Sequence, residues 1–220
     1  MSRIAMGICL ALIAAGCTQK HTNDQATHFS NGEVKPVVAV VPVIDSASDV
    51  NITWNLSDEL TEDIYSRLLN KEKLYIIGDQ KVRSMVKNLG SAHNPFGTDL
   101  AWTKTTFAED EFVVFLELLE HKERPMTSKK TSSPMDSAIE LNMSVRVRIL
   151  DLRKEQPEVI LQEIIHDSHY IPRQFTRLNF HQVEWGKETY GISPLGLAHA
   201  QLTKEISTRI QDYILLAKSR

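Results

Sequence analysis

Cysteine is nearly absent: Cys9 and Cys17 are the only two in 220 residues, and both fall in the first seventeen positions. No disulfide can staple whatever folds beyond them. The domain must hold itself by burial, which a composition of 42% apolar residues allows at this length. Basic blocks are missing too, and the formal net charge is −3, so there is no electrostatic footprint for nucleic acid. No apolar run after Cys17 approaches the roughly 20 residues that a membrane span requires. A Gly-rich phosphate loop, a helix-borne HExxH pair and a G-x-S-x-G elbow are all wanting, as are short internal repeats and heptads. These gaps leave a self-supporting domain with no motif that announces an enzyme or a cofactor.

What is present begins at the first residue. Arg3 gives a positive start, Ile4 to Ala15 is apolar apart from Gly7, and the run closes on Ala14-Ala15-Gly16-Cys17. Charge, short apolar segment and small residues in that order describe a secretory signal peptide over residues 1–16. A dozen or so residues make about 18 Å of helix, well short of a hydrocarbon core of about 30 Å. The segment resembles the signal of bacterial lipoproteins, with Ala14 where that group more often has Leu. The resemblance implies cleavage before Cys17 and a diacylglycerol thioether on its sulfur. An ordinary cleaved signal is the alternative, and it would leave one unpaired thiol open to oxidation. Cleavage leaves 204 residues with a formal charge near −4, since Arg3 is the only charged residue lost.

Residues 17–35 are polar and cannot offset their own ordering entropy, so they read as a flexible tether of about 20–25 Å average reach. Thr18, and not Asp, follows the cysteine. In the enterobacterial sorting logic that such lipoproteins resemble, this favours the outer membrane, with the domain facing the periplasm.

Residues 36–217 read as one α/β domain. Pro36–Ile44 is a Val-rich strand buried on both faces, left by its last residues at Pro42. Ser57 is placed to cap a helix whose stripe is Leu60, Ile64, Tyr65 and Leu68. Leu74–Ile77 is a short second strand, giving a parallel crossover. Asp79 caps a second helix with stripe Val82, Met85, Val86 and Leu89, stopped by Gly90, and Asp99 starts a short third one through Phe107. Glu111–Glu120 is a buried strand, followed by a long, mobile hairpin tip over His121–Asp136. Ala138–Leu150 alternates so strictly that one face should meet the core and the other water. Val159–Tyr170 completes an antiparallel meander. Ser193-Pro194 opens a last helix striped by Leu195, Ala198, Leu202, Ile206 and Ile210. The expected architecture is α/β (α+β): a mixed sheet of about five strands, ordered β-α-β-α-(α)-β-β-β-α and flanked by helices.

Val37–Ile44, the helix Leu56–Leu69 and Tyr75-Ile76-Ile77-Gly78-Asp79 resemble the opening of the CsgG/LpoB/TolB N-terminal-like group. Asp110–Glu120 matches a further strand of that group, with Leu116 where Gly is usual, and Arg148-Ile149-Leu150-Asp151 matches another strand's end. The resemblance implies an envelope lipoprotein or periplasmic domain that binds other proteins, and it brings no catalytic residues.

His166 and His169 are the only close histidine pair, but three residues apart on a strand they face opposite ways, so no metal and no cofactor is expected. The carboxylates of Asp58-Glu59 and Glu109-Asp110-Glu111 read as solvated caps. Trp54 and Trp185, with Tyr190, lie in expected loops and are the candidate binding residues: plugs for the core ends if buried, protein-contact anchors if exposed. The basic tip Lys122, Arg124, Lys129 and Lys130 suits a solubilising loop, or contact with a partner, peptidoglycan or anionic head groups. The expected function is a non-enzymatic, protein-binding adaptor held to the membrane by lipid, with an unidentified envelope protein as partner. The alternatives are a subunit of a secretion complex, or a cell-wall or lipid hydrolase using His166 or Glu184.

Overall fold

In the computed structural model, residues 29–30, 32–47, 52–87, 89, 93–126, 138–172 and 183–220 are described. The signal segment, Cys17, most of the span read as a tether, Gly90, the tip 127–136 and residues 173–182 lie outside them. Two short strands, β1 (Phe29–Ser30) and β2 (Glu33–Val34), pair antiparallel around Gly32, whose φ of 84° glycine adopts without steric cost.

The Val-rich run forms β3 (Val37–Val40), which ends before Pro42, and β4 (Ile44–Asp45) follows. Helix α1 (Leu56–Asn70) leads to β5 (Tyr75–Ile76), then α2 (Asp79–Val86) and α3 (Ala101–Thr106). Three long strands complete the sheet: β6 (Phe112–Pro125), β7 (Ile139–Asp151) and β8 (Glu158–Ile171); α4 (Pro194–Lys218) closes the chain. The sheet is six-stranded and mixed, in the order β5-β3-β6-β7-β8, with β4 also on β6. Strands β3, β4, β5 and β6 run parallel where they pair, and β6-β7-β8 is the antiparallel meander. The expected architecture holds, with one strand more than anticipated.

Helices α1 and α4 lie on one face of the sheet. They run parallel to each other, because Glu59 meets His199, Arg67 meets Thr203 and Lys71 meets Thr208 in step. Their apolar stripes bury Leu60, Ile64, Leu68, Leu202, Ile206 and Ile210 against alternate residues of β6 and β7. A smaller core on the opposite face holds Ala39, Val82, Phe107, Val113, Phe115 and Leu150.

That second core corrects the picture of β7 as half wet. Residues 93–100 and α3 fold over its other face, so Arg148 is buried, giving its Nη1 hydrogens to the carbonyls of Pro95 (2.9 Å) and Gly97 (2.7 Å). The Phe96 ring lies 4.2 Å from the Arg146 guanidinium, a cation–π contact.

The helix caps also differ from expectation. Asn55, not Ser57, caps α1, its Oδ1 accepting from the Ser57 and Asp58 amides. Gly78 precedes α2, and Asp79 instead holds the Arg83 Nε at 2.7 Å one turn on. Ser193 and Pro194 do open α4, with the Ser193 Oγ accepting from the Gly196 amide at 3.0 Å.

Candidate functional site: a buried carboxylate–histidine chain

The most unusual chemistry in the described residues lies between the helices and the sheet. Glu59 sits in the first turns of α1 beside Leu56 and Leu60, so the helical period turns it inward with them. His199 sits on α4 between Leu195 and Leu202, in the middle of that helix's apolar stripe. Both are 0% exposed. The Glu59 Oε1 accepts from the Tyr190 hydroxyl and lies 2.7 Å from the His199 Nδ1, while its Oε2 accepts from the Trp54 Nε1 at 2.7 Å. On its other side, the His199 Nε2 lies 2.9 Å from the Nε2 of His121, which is also buried.

His121 reaches this position through a β-bulge. Before the bulge, Phe112, Val114, Leu116 and Leu118 of β6 face the helices. The pairing with β7 then shifts between Leu118 and Glu120, and His121 comes to lie opposite Met143, a helix-side residue. One extra residue reverses which positions face the core. Without it the period of two would turn His121 to the opposite face.

Burial alone would raise the Glu59 carboxyl, but the hydrogen bonds and charge of His199, with those of Tyr190 and Trp54, hold it below the usual carboxylate range. Burial, and the charge of His199 beside it, lower His121 to about 4. Burial and the neighbouring Glu59 charge push the Tyr190 hydroxyl well above the ordinary tyrosine range. The resting arrangement at neutral pH is therefore a carboxylate ringed by donors, with a neutral His121 at the far end. One proton lies between the two Nε2 atoms. The chain ties α1, α4, β6 and the segment 183–193 together, and neither Glu59 nor His199 offers a substrate any surface.

The fate of the expected site residues is mixed. Trp54 and Tyr190 are brought together, ring centroids 5.5 Å apart and edge to face, and Tyr190 is buried with its hydroxyl in the chain just described. Trp185 packs half-buried against the main core without joining the network. His166 and His169 do face opposite sides of β8: His166 shares a 2.8 Å hydrogen bond with Ser144 on the face away from the helices, and His169 meets Asp167 at 3.0 Å. Glu59 and Asp110 are not solvated caps, since both are buried. Nor does the tip begin at His121, because β6 runs on to Pro125. Among the described residues, no three His, Cys, Asp or Glu side chains converge as a metal site.

The two ends of the domain differ. The chain enters the sheet at Val37, whose amide donates to the Glu111 Oε2 at 3.0 Å, and the Glu111 Oε1 takes the Lys218 ammonium at 2.5 Å at the end of α4. At the opposite end lie the first turns of α1 and α4 and the last residues of β6 and β8. There Ile192 is 79% exposed, and Leu197, Tyr170 and Met126 are also open to solvent. No helix of the described residues is long and apolar enough to cross a membrane.

Helices on one face of a mixed sheet, with a second small core behind it, define an α/β domain built around its long meander. Residues 24–218 match the family described as "Family of unknown function (DUF7499)", and the chain belongs to that family. The hypothetical protein CT253 from Chlamydia trachomatis is similar in structure: 28% identical, with 82% of this chain and 98% of that one covered and a TM-score of 0.64. Lipoprotein GNA1162 from Neisseria meningitidis superposes more loosely, at 14% identity, 79% and 99% coverage and a TM-score of 0.42. The LpoB C-terminal domain from Salmonella enterica is looser again, at 12% identity, 63% and 87% coverage and a TM-score of 0.34. No curated protein matches the sequence.

Proposed function

We propose that this protein is an outer-membrane lipoprotein, anchored through an acylated Cys17, which acts without catalysis by binding a protein partner at the end of its domain away from the anchor. The observation that carries this reading is the polarity of the fold. Val37, where the chain enters, is tied through Glu111 to the end of α4, and at the other end Ile192, Leu197, Tyr170 and Met126 are exposed, Ile192 more than the exposed Val34, Val159 and Leu216 of the entry end. The Ala-Ala-Gly-Cys signal supports the anchor. Two or three acyl chains, at about 0.8 kcal/mol per buried methylene, would hold such an anchor stably. A non-enzymatic role is supported by the setting of Glu59 and His199, whose polar atoms serve each other in the interior and present nothing to a substrate.

Two measurements test the reading. Cys17→Ser should accumulate as an unprocessed precursor; normal processing of that variant would remove the anchor. A photo-crosslinking residue placed at Ile192 in living cells should yield a protein adduct, and one at Ser219 should not. Adducts at Ile192 that contain only lipid would defeat the adaptor role.

A further inference from the structure

The two edges of the sheet are unequal. Edge strand β5 is only two residues long, which by itself protects that side from further pairing. Edge strand β8 runs fourteen residues, and among the described residues it pairs only with β7. From Glu158 to Ile171 it holds no proline, lysine or arginine, the usual guards of a long edge. Its acidic Glu163 and Asp167 are already matched within the chain, by Arg209 at 3.7 Å and His169 at 3.0 Å. Three large exposed apolar side chains, Val159, Ile164 and Tyr170, lie on this one strand. All three lie on the face away from α4. Val159 pairs with Leu150 of the second core, and Ile164 and Tyr170 alternate with the helix-side residues Leu161, Ile165 and Ile171.

We infer that β8 pairs antiparallel with β8 of a second copy of this chain, across a two-fold axis at His166, to make one continuous sheet. The proposal does not depend on the lipid anchor or on the adaptor role. Like charge and apolar matching select the register. With the axis at His166, Glu163 faces His169 of the second copy, Ile165 faces Asp167, Leu161 faces Ile171, and on the outer face Ile164 faces Ser168 and Gln162 faces Tyr170. Like charges directly opposite each other lose. An axis one residue earlier sets Glu163 against Asp167, and one residue later sets Asp167 against itself. An axis at Ile164 avoids like charges but sets Leu161 against Asp167 in place of Ile171. It also shortens the ladder, which the irregularity at Ile160 ends. A strand that reads as its own complement in this way fits a second copy better than an arbitrary peptide.

Cysteine chemistry tests this well, because Cys9 and Cys17 are the only cysteines in the chain. In intact cells under mild oxidant, His166→Cys should give a disulfide-linked dimer on a non-reducing gel. Residues facing across strands have Cβ atoms about 4.5–5.5 Å apart, close to the roughly 3.5–4.5 Å of a disulfide. The wild type controls for Cys17. Ile164→Cys should stay unlinked, its two copies being about 13 Å apart in this register. Native mass spectrometry of the intact protein released from detergent should show twice the chain mass. His166→Glu, which adds two facing acids beside Glu163 and Asp167, should return it to one. A monomeric wild type, a His166→Cys variant that no oxidant links, or linkage through Ile164→Cys in its place would each overturn the proposal. A complex of one copy with a different protein along β8 would overturn it as well.

Discussion

Glu59 and Asp110 show how differently two buried carboxylates can behave in one domain. Glu59 is ringed by donors and stays ionised in the interior. Replacing it by Gln removes the charge and must turn an NH2 group toward either the Trp54 Nε1–H or the Tyr190 and His199 side, so at least one buried donor loses its acceptor. Breaking a buried charged network of this kind costs about 3–5 kcal/mol. Urea unfolding of Glu59→Gln should show that loss. Asp110 has no hydrogen-bond partner for either oxygen among the described residues, and burial pushes its carboxyl up to about 6. A raised carboxyl binds its proton more tightly when folded, so stability falls as pH climbs from about 4 to about 6. Asp110→Asn should therefore stabilise the protein at pH 7 by about 1–3 kcal/mol, with the gain vanishing below pH 4. His121 has the opposite sign. Its folded value near 4 lies under the ordinary histidine value of 6.5, so the unfolded chain takes the proton first. Stability should then drop by about 3 kcal/mol as pH falls from 6.5 to 4. His121→Phe should flatten that slope, and an unchanged slope would show that His121 is not its source. At this scale the sequence was only half legible. Glu59 and His199 stand in apolar stripes that can be read by helical period, but a carboxylate beside a helix start reads equally well as a cap. Only tertiary contact tells the two apart.

Among the elements, the strongly periodic ones were readable and the irregular ones were not. The strand opening at Val37, α1, and the Ser193-Pro194 start of α4 follow from branching, stripe and cap chemistry. The continuation of β6 past Glu120 was hidden because Glu120, Lys122 and Arg124 fall where unbroken alternation calls for core residues. The bulge moves them outward and brings His121 in, and no local pattern of residues signals it. Gly196 is a second hidden constraint. A Cβ added there would lie 2.1 Å from the Tyr190 carbonyl oxygen, so the first turn of α4 can press against the 183–193 segment only as glycine. Helix propensity alone predicts that Gly196→Ala should gain about 1 kcal/mol. The backbone clash should reverse the sign and cost about 1–3 kcal/mol, read as a lowered melting temperature. A stabilised Gly196→Ala protein would mean that the turn at Tyr190 yields easily.

On the scale of the molecule, the parallel course of α1 and α4 separates the two ends of the domain by a known length. Helix α4 spans 25 residues, so its ends stand about 38 Å apart. Its C-terminal end is joined through Lys218 and Glu111 to the residue where the chain enters the sheet. If Cys17 holds the protein to a bilayer and the domain stands with its entry end toward it, Ser219 is on the near side and Ile192 on the far side. A lipidated cysteine is no longer a thiol, so Ser219→Cys or Ile192→Cys would carry a single label. Energy transfer to an acceptor in the lipid head groups should be strong from position 219 and much weaker from 192. Equal transfer from both would mean that the domain lies flat on the membrane. Ile192 would then lie at the lipid surface, and the outer face of β8, with Ile164 and Tyr170, would become the surface to search for a partner.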